Sequence, residues 1–384
     1  MTFILPSSIL FASFLVTRTI IAISRTNWLF AWISIEINIL SFIPIMLQHQ
    51  SNQETERAIK YFLAQAMGSA IILYSRILLQ RPGNQFLIQR LLITALLLKL
   101  GAAPCHFWFP STMTSISWIN CLILCTWQKL GPLMLLILPF TNSYHLKPLL
   151  IATGALNAIL GGLLGINQAH IRTILAYSSI THMGWIIGRF IINSPIIPII
   201  YFTLYVVIIT PIFIMIQIWK ISSFSQIPYI IINSLSMTII FRLSLLSLGG
   251  LPPLTGFIPK WVTIIFLSDT NWIILMLLLL GSLINLYFYL NLTFNILTVS
   301  LMNVTEKKYQ NPKSLRFISV VALRCLGILP VILYAMTLLY KSQRHWHSLH
   351  SFRPLSRNSR YWNKPTNSIW VSSTRIILRQ RPVI

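Results

Sequence analysis

The chain has 384 residues, of which 55% are hydrophobic and 9% are charged, and its mean hydropathy is +0.75. Soluble domains carry about 25% charged residues, so this composition excludes an ordinary water-soluble enzyme and favours a lipid environment. The net charge of +24 is typical of nucleic-acid-binding proteins, but nine of the 29 Lys and Arg residues lie within 341–384 and most others stand near the ends of apolar segments. Basic side chains at such ends reach lipid headgroups, so no nucleic-acid partner is expected.

Eleven apolar segments have about the 20 residues that a helix needs to cross a bilayer. Inside lipid, backbone groups find no partner outside their own segment, so each segment is predicted to be helical. The predicted fold class is therefore all-α, a polytopic membrane protein with about eleven transmembrane helices. The segments lie near 3–23, 28–47, 58–79, 88–108, 118–139, 148–166, 170–190, 195–219, 237–266, 271–297 and 314–340.

Two of these segments are interrupted by glycine and proline in a matching way. The fourth contains LLLKLGAAPCHFWFP at 96–110, and the ninth contains SLGGLPPLTGFIPKW at 247–261. Such breaks persist in a membrane only where protein or a wet cavity satisfies the freed backbone groups. Because the breaks are five helices apart, they predict two inverted five-helix repeats with discontinuous helices, at roughly 1–140 and 148–297, and a final helix at 314–340.

One acidic residue is placed where a charge is costly. The chain has only five Asp and Glu residues, and Glu36 alone falls in the middle of a predicted span, in WISIEINILSFIP at 32–44. A charge at the bilayer centre costs about 2.5–3.5 kcal/mol on insertion scales. Glu36 is therefore expected to have a partner, a water cavity or a bound proton.

Three lysines are placed similarly: Lys99 beside the first break, Lys129 in TWQKLGPLM, and Lys260 just after the second break. Burial disfavours a charged ammonium group, and a nearby carboxylate favours it again. A Glu36–Lys99 pair that forms and breaks would switch a lysine between holding and releasing a proton, so the set predicts proton translocation. Two structural alternatives are an ion pair that only locks helices together and lysines that snorkel to the headgroups.

His182, in ITHMGW of the seventh segment, is a further candidate because imidazole titrates near neutral pH and could link the lysine sites. A packed, hydrogen-bonded histidine is the alternative. The sequence has no P-loop, no Rossmann glycine fingerprint and no four-cysteine cluster signature, so no cofactor is expected in this chain. Cys121 and Cys125 have no His or carboxylate nearby in the sequence, so packing rather than metal binding is expected there.

The C-terminal segment differs in character from the rest of the chain. Residues 341–384 carry nine Lys or Arg residues, no acidic residue, and many Ser and Asn residues. They are predicted to form a basic tail outside the transmembrane domain at 1–340. Such a tail suits a surface arm that binds anionic lipid, such as cardiolipin, or a neighbouring subunit, and it suits a disordered appendage equally well.

Six motifs in chain order carry a family resemblance: WISIEINILSFIP, ERAIKYFLAQA at 56–66, KLGAAPCHFWFP, TWQKLGPLM, NQAHIRTILAYSSITHMGW at 167–185 and SLGGLPPLTGFIPKW. Each motif is weak alone, but six in order over roughly 25–300 are specific. Together they resemble the NADH dehydrogenase subunit 2 family of mitochondrial respiratory complex I.

The resemblance implies an antiporter-like membrane-arm subunit of an H⁺-translocating NADH:ubiquinone reductase, multi-pass in the mitochondrial inner membrane. In that family Glu36 would pair with Lys99, Lys129 would be the central relay, and Lys260 would lie on the outlet side. NADH, FMN, iron–sulfur clusters and ubiquinone would belong to other subunits of the complex, which would be the partners of this chain. The alternatives are a stand-alone cation/proton antiporter and a structural scaffold of the membrane arm.

Overall fold

The computed structural model describes residues 6–24, 27–48, 51–81, 84–140, 146–190, 196–219, 235–268 and 271–302. Thirteen α-helices account for most of these residues. They are α1 Pro6–Ser24, α2 Trp28–Met46, α3 Asn52–Leu79, α4 Gln85–Leu100, α5 Trp108–Met113, α6 Trp118–Cys125, α7 Trp127–Phe140, α8 Lys147–Gly165, α9 Ile171–Arg189, α10 Ile196–Trp219, α11 Leu235–Gly249, α12 Phe257–Ser268 and α13 Trp272–Met302.

Ten of the eleven predicted spans fall in these ranges, and each coincides with one helix or with two consecutive helices. Among the described residues, seven spans are long and apolar enough to cross a membrane: α1, α2, α3, α6 together with α7, α8, α10 and α13. Helices α11 and α12 contribute shorter apolar stretches. The prediction of an all-α polytopic membrane protein is confirmed. The predicted final helix at 314–340 and the tail at 341–384 lie outside the described residues, and the repeat boundaries stay a prediction.

The predicted breaks at the fourth and ninth spans are present. Helix α4 ends at Leu100 and α5 begins at Trp108, while α11 ends at Gly249 and α12 begins at Phe257. Gly101 directly follows α4 and Gly250 directly follows α11, and their φ angles are 68° and 84°. This left-handed conformation is one that glycine adopts without a steric penalty, which is why glycine stands at both ends.

A third interruption, which the sequence analysis missed, divides the fifth predicted span. Helix α6 ends at Cys125 and α7 begins at Trp127, with Thr126 between them at φ −114° and ψ −72°. The hydroxyl of Thr126 donates to the carbonyl oxygen of Leu122 at 2.7 Å. A threonine side chain that bonds four residues back competes with the helical backbone and bends the helix.

Helix α9 is the centre of the packing, because 17 of its 19 residues are buried. It packs against α5, α6, α8, α10, α12 and α13. Its contact with α8 is close: a Cβ added to Gly184 would lie 2.8 Å from the carbonyl oxygen of Gly154. Small residues at such crossings let two backbones approach in a membrane, so the position of α9 is set by van der Waals packing.

Candidate functional site

The three candidate lysines are all buried and all stand beside helix interruptions. The exposed fractions of Lys99, Lys129 and Lys260 are 3%, 2% and 4%. Lys99 precedes the first break, Lys129 follows the interruption at Thr126, and Lys260 is in the first turn of α12. None of the three reaches the surface of the chain, so the snorkelling alternative does not describe them.

At the first break, other helices satisfy the backbone groups that the end of α4 leaves free. The side-chain amide of Gln65 on α3 donates to the carbonyl oxygen of Lys99 at 3.1 Å. The indole of Trp108 donates to the carbonyl oxygen of Leu98 at 3.0 Å. The ammonium group of Lys99 does not bond to the end of its own helix, because its Nζ has no hydrogen-bond partner among the described residues.

The loop after α4 is held by a single buried amide from α8. Asn157, which is 0% exposed, accepts a hydrogen bond from the backbone N–H of Ala103 at 2.7 Å. Its own amide nitrogen donates to the carbonyl oxygen of Thr153 at 2.7 Å. Broken helices inside a membrane need such partners, so Asn157 stabilises the loop beside Lys99.

Glu36 lies near Lys99, but the two do not form a direct ion pair in this structure. The carboxylate interacts electrostatically with both Lys99 and Tyr61. Oε2 of Glu36 and Nζ of Lys99 are buried, and neither atom has a hydrogen-bond partner among the described residues. The two charged groups are therefore farther apart than in a salt bridge. An ion pair that forms and breaks must be separated in this way in one of its two states.

Polar side chains connect the surroundings of Glu36 to the helix that carries Lys129. Oε1 of Gln128 accepts from the amide of Asn38 at 3.2 Å and from the hydroxyl of Tyr61 at 3.4 Å. Asn38 is two residues after Glu36 on α2, and Gln128 immediately precedes Lys129 on α7. Asn38, Tyr61 and Gln128 stand within the motifs that carry the family resemblance, but no local pattern in the sequence indicates this contact.

Lys129 is held by one hydroxyl and one aromatic face. Its Nζ donates to Oγ of Ser179 on α9 at 3.2 Å and lies 4.4 Å from the ring centroid of Phe109. An aromatic face stabilises a cation, and neither partner is itself charged. Lys129 therefore makes no close ion pair with any residue that the structure describes, and its ammonium group can exchange a proton without breaking one.

His182 interacts with both the second and the third lysine. It interacts electrostatically with both Lys129 and Lys260, and its ring lies against the backbone of Leu248 at the end of α11. Its Nδ1 is 2.9 Å from the hydroxyl of Tyr201, and the Tyr205 ring centroid is 5.0 Å away. The two alternatives predicted for His182 therefore do not exclude each other. The residue is packed and hydrogen-bonded, and it also interacts with two of the lysines.

At the second break, the lysine itself satisfies the freed carbonyl. Nζ of Lys260 donates to the carbonyl oxygen of Gly249, the last residue of α11, at 2.8 Å. The C-terminal end of a helix carries a partial negative charge, which stabilises a cation there. A Cβ added to Gly250 would lie 2.7 Å from Nζ of Lys260, so this glycine leaves the room that the ammonium group occupies.

Arg189, the last residue of α9, corrects an expectation from the sequence. Basic residues at span ends were expected to reach headgroups, but Arg189 is 1% exposed. Its guanidinium donates to the carbonyl oxygens of Ile197 and Pro259. The sequence contains one signal for this, because Arg189 directly follows the apolar stretch at 183–188, yet tertiary contacts decide which way the side chain turns.

The described cysteines are in the packed core or at a break. Sγ of Cys121 contacts the carbonyl oxygens of Met113 and Ile116, and Sγ of Cys125 contacts the sulfur of Met113. Within the described ranges, no group of three His, Cys, Asp or Glu side chains is arranged to hold a metal ion. The absence of a cofactor in this chain remains a prediction.

Comparison with known proteins identifies what the chain is similar to. A family model described as "NADH:quinone oxidoreductase/Mrp antiporter, TM" matches residues 25–285. NADH-ubiquinone oxidoreductase chain 2 of Lumbricus terrestris is 42% identical over 334 residues, covering 85% of this chain and 98% of the relative. The protein of the same name from Anopheles gambiae is 40% identical over 298 residues, covering 76% and 86%.

One solved structure extends the similarity to the fold. A chain of respiratory complex I from Thermus thermophilus, solved with bound aureothin, superposes with a TM-score of 0.74 at 22% sequence identity. The match covers 86% of this chain and 79% of the other. The helix arrangement described above is therefore that of the bacterial protein.

Proposed function

Because the chain belongs to the NADH:quinone oxidoreductase/Mrp antiporter transmembrane family, we propose that it is a proton-translocating membrane subunit of respiratory complex I. It is a multi-pass protein of the mitochondrial inner membrane. Other subunits of the complex oxidise NADH and reduce ubiquinone, and this chain couples their reaction to proton movement. The FMN and iron–sulfur clusters of the complex belong to those other subunits.

The proton path that we assign runs from Glu36 and Lys99 to Lys129 and then through His182 to Lys260. Loss or gain of a proton on one buried lysine changes the electrostatic cost of a charge on the next. Glu36 lowers that cost for Lys99, and the Gly249 carbonyl lowers it for Lys260. A change in these surroundings, driven by electron transfer elsewhere in the complex, would therefore move protons in sequence.

The observation that carries the proposal is that His182 interacts electrostatically with both Lys129 and Lys260 and follows, by one helical turn, the Ser179 that binds Lys129. Leucine or methionine at these positions would pack equally well and would avoid the cost of a buried charge. A scaffold that only locked helices together would also favour close ion pairs, and none of the contacts of Lys99, Lys129 and Lys260 described above is one. These features support a relay over a structural scaffold.

A stand-alone cation/proton antiporter is the alternative from the same family. The relatives that match this chain over most of their length carry the name of a complex I subunit, which favours the subunit. Co-purification with the flavin and iron–sulfur subunits supports complex I, whereas cation-driven proton exchange by the purified chain alone in vesicles would support the antiporter. The membrane lipid around the subunit, including cardiolipin at the basic tail, is a further proposed partner.

Replacing Lys129 with Met tests the relay in the assembled complex. The variant should keep the complex assembled, because Met fills a similar volume, and should lower coupled NADH oxidation about tenfold or more, because a proton-transfer step is lost. The measurements are native electrophoresis for assembly and proton uptake or release per NADH oxidised in sealed membranes.

Lys60→Met is the matched control, because Lys60 is exposed on α3 and bonds only to Glu56 at its surface. Surface ion pairs of this kind contribute little, so the control should retain normal turnover. Normal proton pumping by an assembled Lys129→Met complex would end the assignment of Lys129 as the relay.

A further inference from the structure

Three polar residues on one face of α9 contact successive parts of the assigned path. Ser179, His182 and Arg189 are three and seven residues apart, which places them on one side of a helix with 3.6 residues per turn. Ser179 binds Lys129, and His182 interacts electrostatically with both Lys129 and Lys260. Arg189 lies on the same face of α9 but has no role in the assigned path.

Arg189 connects three helices through two carbonyl groups. Nη1 donates to the carbonyl oxygen of Ile197, in the first turn of α10, at 3.0 Å, and Nη2 donates to the carbonyl oxygen of Pro259, in the first turn of α12. Pro259 immediately precedes Lys260. Guanidinium is planar and presents several donors in a fixed geometry, so it can hold two carbonyls at once where an ammonium group would hold one.

The same guanidinium also packs on the tyrosine that orients His182. Cζ of Arg189 lies 4.7 Å from the ring centroid of Tyr201, and the hydroxyl of that ring is 2.9 Å from Nδ1 of His182. Arg189 therefore contacts both the helix turn that carries Lys260 and the side chain that fixes the imidazole. The connection between Arg189 and Lys260 therefore runs through the backbone of Pro259 and the ring of Tyr201.

The ammonium group of Lys260 is closely surrounded by the backbone at the end of α11. Its Nζ is bonded at 2.8 Å to Gly249, and the space beside it is bounded by Gly250. A shift of the first turn of α12 would lengthen that bond and change the separation between Lys260 and His182. Displacements of about 1 Å at reacting groups can reduce rates by about 100-fold, so the anchor of this turn matters.

We infer that Arg189 is a positioning residue for proton transfer between His182 and Lys260, acting through its bonds to α10 and α12 and through Tyr201. The inference rests on the proposed function, because it assigns Arg189 a role only in the path through Lys260. Arg189 does not itself take up or release the translocated proton.

The test is a double-mutant cycle in assembled complex I, with Arg189→Met, Lys260→Met and the double variant. Arg189→Met should lower coupled NADH oxidation about five- to tenfold. It should also change the pH dependence of turnover, because the positions of both His182 and Lys260 would change. Arg189→Lys should recover part of the activity, because an ammonium group can still bond to one carbonyl. The double variant should be no slower than Lys260→Met alone, because both changes act on one step.

Arg172→Met supplies the matched control on the same helix. Arg172 donates to the carbonyl oxygen of Thr114 at 2.8 Å and packs 4.6 Å from the ring centroid of Trp118, so it is also an arginine anchored to a carbonyl and an aromatic face. It contacts neither α12 nor Tyr201 in these interactions. Any effect of Arg172→Met should therefore multiply with that of Lys260→Met.

Two results would overturn the inference: wild-type turnover of Arg189→Met at every pH, or an effect that multiplies with Lys260→Met as the control does. If Arg189→Met fails to assemble, Arg189→Gln and Arg189→Lys give the same comparison. Failure of the proposed function is a separate outcome, since Lys129→Met and Lys260→Met would then pump normally without any change at Arg189.

Discussion

The breaks beside Lys99 and Lys260 use the same residue types but satisfy their freed carbonyls in opposite ways. After α4, side chains from Gln65 and Trp108 bond to carbonyls of its last turn, and Lys99 is left with the longer-range field of Glu36. After α11, Lys260 itself bonds to the carbonyl of Gly249. The difference arises because Lys99 precedes its break, whereas Lys260 follows its break and its side chain extends back to the end of α11.

This difference separates two ways of holding a proton on a buried lysine. At the first break, the ammonium group depends on a carboxylate, whose influence changes if helices α2 and α4 move relative to each other. At the second break, it depends on the dipole of a helix end, which is built into the backbone and cannot be neutralised by protonation. The first site is therefore suited to switching and the second to a fixed position.

Among the changes that test this difference between the two breaks, the largest effect is expected from Glu36→Gln, which removes the carboxylate on which the first site depends. Coupled turnover should fall about tenfold, since a change of about 1.4 kcal/mol in the stability of the charged lysine corresponds to that factor. The measurement is proton pumping per NADH in sealed membranes. Glu56→Gln, at an exposed surface ion pair with Lys60, should change nothing, and an equal loss in both variants would contradict the assignment.

Gly250→Ala should impair the second site next most strongly. The added methyl group would stand 2.7 Å from Nζ of Lys260, at a residue with φ of 84°. Displacement of the ammonium group should reduce coupled turnover about fivefold, because its bond to Gly249 would be lost and such a bond contributes about 1 kcal/mol.

Gly131→Ala is the control for this substitution, because its added Cβ would lie 3.8 Å from Ile35, an ordinary contact distance. It should leave turnover unchanged. A Gly250→Ala complex with normal pumping would show that the position of Lys260 is less restricted than we infer.

Asn157→Ala should weaken the first break without removing any group from the path. The N–H of Ala103 would lose its buried acceptor, which costs about 1–3 kcal/mol. The measurement is the temperature at which isolated complex I loses activity, which should fall by several degrees. Gln168→Ala, on a side chain that bonds only to the nearby carbonyl of Leu164, should not lower that temperature.

The smallest effect is expected from Gly68→Ala on α3. The added Cβ would lie 2.8 Å from Cγ of Lys99, and Lys99 can shift because its Nζ has no hydrogen bond to lose in the described part of the chain. Coupled turnover should fall no more than about twofold. A loss larger than that of Gly250→Ala would reverse the comparison between a switching and a fixed lysine.

Much of the fold could be predicted from the sequence because the signals were local. Apolar length located the helices, and Gly-Pro patterns located the two long breaks, since these depend on neighbouring residues alone. The interruption at Thr126 was missed because threonine bonds back to its own helix in many helices without breaking it. The start of α3 was predicted at 58 but lies at Asn52, because Ser51 caps a polar first turn that hydropathy does not detect.

The candidate site was predicted as a set of residues but not as a set of contacts. Glu36, Lys99, Lys129, His182 and Lys260 could be chosen because buried charge is costly wherever it stands in an apolar segment. Ser179 and Phe109 at Lys129, and Asn157 at the first break, come from helices distant in sequence, so no local pattern identified them.

The sequence by itself determined that this chain is a helical membrane protein with charged groups inside its spans, because composition and segment length are properties of the chain alone. Only the tertiary structure decided what those groups face. It left Glu36 and Lys99 without a direct ion pair, brought His182 within electrostatic reach of two lysines, and turned Arg189 inward. The physical reason is that the direction of a side chain depends on helix packing, and a buried charge turns toward the partners that its neighbours supply.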